Sequence, residues 1–311
     1  DPVLKDEYIV VGAHFDHLGL GGSRSGSLDP DTLIIHNGAD DNASGTAGIL
    51  ELSYKLMSNR HLLKRSVLFV CFDAEEKGLL GSKYYVENPV RNISNTAMMV
   101  NMDMIGRLND NPVILGGVGS SGNFENIIAD ARNNHTLDVE TNMGGMDFAR
   151  SDHASFYREN IPVLFFFTGA HEDYHKPTDD WDKIDYQGEK EILDFIYDLI
   201  IDISQLQEKP AFAEIETNTT NNQNPVFKVT FGVIPAYGSQ KVGLEIDGVS
   251  KKDGPAAKAG MKKGDVITAI NGKNVRNIYD YMTRLADLKA GQKVKVTINR
   301  DDEVVELTLE L

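Results

Sequence analysis

Five short runs of apolar and β-branched residues, at 8–15, 66–73, 98–104, 113–115 and 162–168, constrain this chain more than any other feature. Several are apolar at every position and not just at alternate ones. Only a strand covered on both faces sustains such a pattern, because a half-exposed strand alternates apolar with polar residues. Helical patterns at 43–59, 80–87, 122–133, 151–159 and 187–207 fall between the runs. Strands alternating with helices in this way predict an α/β domain, a sheet layered between helices.

The pattern lapses after residue 208. Residues 217–225 read Thr-Asn-Thr-Thr-Asn-Asn-Gln-Asn-Pro, a polar run that cannot bury enough surface to order itself. Residues 209–224 are therefore expected to be a linker, between a domain at 1–208 and a second at 225–311. Charge supports the division: residues 1–224 carry 17 basic and 36 acidic side chains, whereas 225–311 carry 14 and 11. In the second part, strand runs at 226–234, 242–246, 266–270, 294–299 and 304–309 surround one helix at 278–288, the pattern of a small β-rich module.

Ligands of open α/β sheets bind beyond the carboxyl ends of the strands, so the residues there matter most. The first strand runs into Ala13-His14-Phe15-Asp16-His17, the second into Asp73-Ala74-Glu75-Glu76, and the third into Asn101-Met102-Asp103. Residues 38–45, Gly-Ala-Asp-Asp-Asn-Ala-Ser-Gly, precede the first helix, and a later loop carries Tyr174-His175. Each piece has a plain structural reading. A His-x-Asp can be a surface pair, Glu-Glu a solvated helix face, and Asp-Asp before a helix an N-cap. Together, however, carboxylates at the ends of apolar strands would repel one another and resist burial without a cation. Imidazoles and carboxylates without thiols suit a hydrolytic zinc site in which a carboxylate bridges two ions. Cys71 is the only cysteine, so any metal must be held by such groups. The net charge of −16 argues against a nucleic-acid partner. No stretch approaches the roughly 20 apolar residues a bilayer span needs.

In order along residues 7–205, the blocks at 12–16, 38–45, 73–82, 101–103, 150–156 and 174–179 resemble the zinc-dependent aminopeptidases with co-catalytic metals. Relatives of that family include glutamate carboxypeptidase, glutaminyl cyclase and the transferrin receptor. The resemblance implies a three-layer mixed sheet with helices on both faces. It also implies two zinc ions per catalytic domain: His14 and Asp103 on one, Glu76 and His175 on the other, Asp41 bridging. Asp16 would accept the second imidazole N–H of His14 and fix the ring. Glu75 would be the general base, taking a proton from the water that zinc activates and passing it to the leaving amine. Arg150 and Tyr174 match donors to the developing oxyanion. For Asp152 and His153 packing around the site is expected, and His17, His36, His61, His135 and His171 match no ligand position. The bond between Asp41 and Asn42 should be cis. Members have a helix and a strand ahead of the segment matching residues 8–15, so the natural chain is expected to be longer at its N-terminus. A targeting segment is expected to lie ahead of this sequence, and the expected compartment is periplasmic or extracellular.

Residues 225–311 resemble a circularly permuted PDZ domain, through Phe231-Gly232-Val233-Ile234, 254–260 (Gly-Pro-Ala-Ala-Lys-Ala-Gly) and 263–272. The resemblance implies that a peptide C-terminus adds as a strand near Phe231, Gly232 and Val233, with Pro235 limiting its pairing; packing on the peptidase part is the other reading. The leading function is an exopeptidase removing N-terminal residues from peptides. A carboxypeptidase or dipeptidase with the same core, a single-zinc glutaminyl cyclase and a non-catalytic binding protein are the alternatives.

Overall fold

A computed structural model of the chain describes residues 1–22, 25–29, 33–108, 112–141, 151–215, 229–236, 241–249, 254–276, 278–301 and 303–311. It separates into two compact units, Asp1–Thr217 and Asn218–Leu311.

The first unit runs β1 (Tyr8–His14), α1 (Gly45–Ser58), β2 (Ser66–Phe72), α2 (Leu80–Glu87), β3 (Thr96–Met102), β4 (Val113–Gly116), α3 (Phe124–Asn134), β5 (Val139–Thr141), α4 (His153–Arg158), β6 (Val163–Phe167) and α5 (Tyr186–Gln205). Its sheet has the order β2-β1-β3-β6-β4-β5. Every neighbouring pair is parallel except β4 and β6, so the sheet is mixed. β1 is buried along its whole length, which explains its unbroken apolar run. Ile9, Val11 and Ala13 join the core made with Ile49 and Leu52 of α1, Phe124 of α3 and Ile196 of α5. Tyr8 and Val10 join a second core, with Tyr85 of α2 and Phe156 of α4. The sheet is thus the middle of three layers, as expected. Gly12 permits a close crossing between strands, since a Cβ there would lie 2.6 Å from the Phe72 ring and 2.8 Å from Met99 Cε.

Every helix and strand expected in this unit is present, with ends displaced by a residue or two. Sequence reading misses β5, which is three residues long and too short to show a period. The stretch expected to open the linker is tied down at its start. Ala213 N–H donates to Ser120 O, Ile215 N–H donates to the Tyr157 hydroxyl, and Phe212 packs on the Tyr157 ring. Residues 216–224 lie outside the described residues.

The second unit runs β7 (Val233–Pro235), β8 (Leu244–Val249), α6 (Pro255–Lys258), β9 (Val266–Ile270), β10 (Lys273–Asn274), α7 (Ile278–Ala286), β11 (Lys293–Arg300) and β12 (Glu303–Glu310). Its strands pair antiparallel in the order β12-β11-β9-β8-β7, with β10 on β9. Phe231, Ile246, Ile267, Val296 and Ile298 close its own core with Tyr281 and Leu285 of α7. Among the described residues no helix is long and apolar enough to cross a membrane.

Candidate metal centre

Because β1, β2 and β3 are parallel, their carboxyl ends share one edge of the sheet. His14 is the last residue of β1, Asp103 follows β3 directly, and the 73–76 turn follows β2. The topology therefore gathers at one rim the residues that sequence reading places at strand ends.

Asp41 reaches the same rim from the turn Ala39–Ser44, where the Asp41–Asn42 bond is cis, as the resemblance implies. Hydrogen bonds stitch this turn to its surroundings. Asp179 Oδ2 accepts from the amides of Asp40 and Asp41, at 2.9 and 3.1 Å. Asn42 donates to Met102 O at the end of β3, and its Oδ1 accepts from Gly45 N and Met104 N. The carboxylate of Asp179, fully buried, is held in turn by Arg107. On the next loop, Arg107 and Lys183 also hold Asp173, two residues before His175.

Asp41 turns its two oxygens to different partners. Oδ1 lies 3.3 Å from His14 Nε2, and that nitrogen is 3.5 Å from Asp103 Oδ1. Oδ2 lies 3.2 Å from His175 Nε2, which is 3.2 Å from Glu76 Oε2. Two atoms each about 2.0–2.2 Å from one zinc at tetrahedral angles stand about 3.3–3.6 Å apart. These separations are those expected of oxygen and nitrogen ligands around a zinc-sized cation, so the donor set fits zinc. His14, Asp41 and Asp103 form one compact group of ligand atoms, and His17, Asp41 and Glu76 form another.

The surrounding residues depart from expectation in three ways. The Asp16 carboxylate stands 3.6 Å from His14 Nδ1, while the Asp16 main-chain oxygen is nearer at 3.1 Å. The carboxylate also accepts the amides of Glu75 and Glu76, at 2.9 and 3.3 Å, and so shapes the turn that carries both. His17, without a ligand position in the resemblance, lies within the site, its Nδ1 2.9 Å from Glu76 Oε1. His171 likewise joins the frame, 3.1 Å from Asp40 Oδ2. Spacing could not reveal these pairs, which join residues 59 and 131 positions apart. Tyr174 stacks on His175 with ring centroids 3.9 Å apart, His153 stacks on Phe165, and Asp152 is fully buried. Arg150 lies outside the described residues.

The crowding of these charges is visible in how they shift one another. Burial alone would push His14 down, yet Asp103 foremost, with Asp16 and Asp41, carries its imidazole well above the ordinary range. His175, opposed by burial but hydrogen-bonded to Asp41 and Glu76, rises to about 10. Burial first, then the charge of Asp103, pushes Glu75 up to about 9. A cation at this rim would supply the positive charge that these carboxylates draw from the imidazoles.

Residues 2–200 match the model of peptidase family M28, and residues 227–311 match that of the PDZ domain. Leucine aminopeptidase 2 of Trichophyton equinum is 30% identical over 169 residues, which are 52% of this chain and 31% of that protein. Leupeptin-inactivating enzyme 1 of Streptomyces exfoliatus is 34% identical over 154 residues, 47% of this chain and 32% of that protein. The chain thus spans about a third of the length of these curated relatives. Among solved structures, the LapA aminopeptidase of Legionella pneumophila is similar with a TM-score of 0.52 and 24% identity, covering 66% of this chain and 53% of that one. The zinc aminopeptidase BSAP from Bacillus subtilis has the same TM-score and identity over 68% and 51%. These two likenesses are of fold. The family match runs from ahead of β1 into α5 and takes in every strand end that builds the site, so the chain belongs to peptidase family M28, with a PDZ domain after its peptidase domain.

Proposed function

We propose that the first unit removes N-terminal residues from peptides with two zinc ions, one held by His14 and Asp103, the other by Glu76 and His175, and Asp41 between them. The observation that carries this reading is the division of Asp41, one oxygen toward each group. When bound, zinc supplies a Lewis acid for the scissile carbonyl and makes water acidic enough to attack at neutral pH. Glu75 accepts a proton from the attacking water and returns it to the leaving amine. Its turn is fixed by Asp16, which holds the amides of Glu75 and Glu76. Cationic charge beside Asp103 would offset the part of the rise in Glu75 that comes from Asp103, favouring the ionised form a base needs. Tyr174 and Arg150 are the candidate donors to the oxyanion. The names of the related aminopeptidases favour cleavage at the N-terminus over carboxypeptidase or dipeptidase action. A filled group around His14 and Asp103 disfavours the single-zinc glutaminyl cyclase.

For the second unit, the proposed ligand is a peptide C-terminus added along β7, near Phe231, Gly232 and Val233. β7 ends its sheet, so its outer edge is open to pairing among the described strands. Pro235 is its last residue and removes a donor only there. Gly232 N–H donates to Thr230 Oγ1 at 3.0 Å, and a peptide carboxylate would have to displace that bond.

Two substitutions test the peptidase reading. Glu75→Gln keeps shape and loses basicity, so it should retain both metals while turnover falls about 100-fold to 10,000-fold. Glu76→Gln should lose metal first, since a neutral amide oxygen is a poorer ligand. Metal analysis alongside hydrolysis of aminoacyl and N-blocked substrates reads both. Near-normal turnover in metal-loaded Glu75→Gln protein would refute the assignment.

A further inference from the structure

His17 sits in a seat the fold has built for it. Its side chain is 9% exposed. Gly38 backs the ring with a left-handed φ of 59°, and a Cβ at that position would stand 2.6 Å from the ring. On its flanks lie His175, edge-on at 5.9 Å, and His36, at 6.4 Å. His36 is itself fixed by Ser27 and the Ile34 carbonyl. His17 Nε2 is buried without a hydrogen-bond partner, so the ring's polar contact with the site is made by Nδ1.

That contact is shorter than its neighbours. Nδ1 stands 2.9 Å from Glu76 Oε1, whereas the separations between the ligand atoms named above run from 3.2 to 3.5 Å. It stands 4.0 Å from Asp41 Oδ2, beyond that range. A distance near 2.9 Å is that of an N–H donor on a carboxylate. Glu76 is thereby divided: Oε1 takes the His17 proton, and Oε2 faces His175.

We propose that His17 is a positioning residue whose Nδ1–H holds Glu76 Oε1, so that Glu76 offers only Oε2 to the cation enclosed with Asp41 Oδ2 and His175 Nε2. The inference rests on the metal reading above and adds to it an asymmetry, because among the described residues no imidazole holds Asp103 in the same manner. Without His17, Glu76 keeps a buried oxygen with no donor and loses its fixed orientation. The cost falls on one cation and spares the one beside His14 and Asp103.

The test is calorimetric titration of Zn²⁺ into chelator-stripped full-length protein, repeated with Co²⁺ while the visible absorption of the cobalt protein is recorded. Wild-type protein should show two sites. In His17→Ala one site should weaken about 10–100-fold, the usual effect of removing a group that orients a ligand, with the other unchanged. His17→Asn places an amide N–H near the position of Nδ1 but is a poor zinc ligand, and it should restore most of the lost affinity and the wild-type cobalt spectrum. If His17→Ala does not fold, His17→Phe fills the seat without a donor and takes its place. Two unchanged sites in the donor-free variant would overturn the inference while leaving the metal reading intact. Failure of His17→Asn to rescue would also overturn it, pointing to the imidazole as a direct ligand. No zinc binding by the wild type would remove the metal reading and this inference with it.

Discussion

Glu189 shows how far the negative charge around the site extends. It lies in the first turn of α5, 7% exposed, and its carboxyl is pushed up to about 7, by burial first and then by the charges of Asp40 and Glu51. An acid whose folded pKa exceeds its unfolded value keeps its proton longer when folded. Stability should therefore fall as pH rises from the ordinary glutamate range through about 7, and level off beyond it. Glu189→Gln should flatten that slope and add roughly 1–3 kcal/mol above neutrality, with little effect near pH 4, as read from urea unfolding across pH. An unchanged pH slope would show that Glu189 does not carry this strain. At this scale the sequence was partly legible. The convergence of His14, Glu76 and Asp103 could be read, because parallel strands end on one rim and these residues follow those ends, whereas Asp41 and His175, on a turn and a loop, came only from the family resemblance. The parts played by His17, His171 and Asp179 could not, since their partners come from distant loops and no local period announces them.

Among the elements, the junction of α1 with the end of β3 holds Asn42, the neighbour of Asp41, in place. Gly45, the first residue of α1, has ordinary helical backbone angles, so propensity alone would favour alanine by about 1 kcal/mol. The surroundings forbid it. A Cβ there would lie 2.5 Å from Asn42 Oδ1 and 2.6 Å from the main-chain oxygen of Met102. Asn42 Oδ1 already accepts from Gly45 and Met104, and cannot withdraw without leaving two buried amides unpaired. Gly45→Ala should accordingly destabilise the protein by about 1–3 kcal/mol, the cost of overpacking, and weaken metal binding as the Asp41 turn moves away from β3. A rise in the thermal midpoint would contradict this packing. Sequence reading recovers elements where the apolar run is long, and α5, with Ile192, Phe195, Ile196, Leu199, Ile200 and Ile203 buried, is the plainest case. It fails for β5, whose three residues are held by pairing with β4 and carry no pattern of their own.

For the whole molecule, cores that are closed separately within each unit imply two cooperative units. The first is built on both faces of the mixed sheet, and the second by α7 against the antiparallel sheet. The polar stretch from residue 217 announced the division, while the attachment of residues 212–215 to the first unit was hidden in a run with little apolar pattern. If each unit closes its own core, calorimetry of the full chain should resolve two transitions, and a fragment of residues 1–215 should reproduce one of them. Metal then separates the two further. A ligand that binds only the folded state stabilises it by about 2.7 kcal/mol at a hundredfold excess over its Kd. Saturating Zn²⁺ should raise the transition of residues 1–215 by several degrees, since a domain of this size gains about 2–4 °C per kcal/mol, and EDTA should reverse the shift. The transition of residues 218–311 should stay where it is, because the compact ligand groups found among the described residues, His14 with Asp41 and Asp103 and His17 with Asp41 and Glu76, all belong to the first unit. Equal movement of both transitions would show the units to be energetically coupled. A chelator-insensitive first transition would leave the carboxylates at the rim without the cation their burial requires.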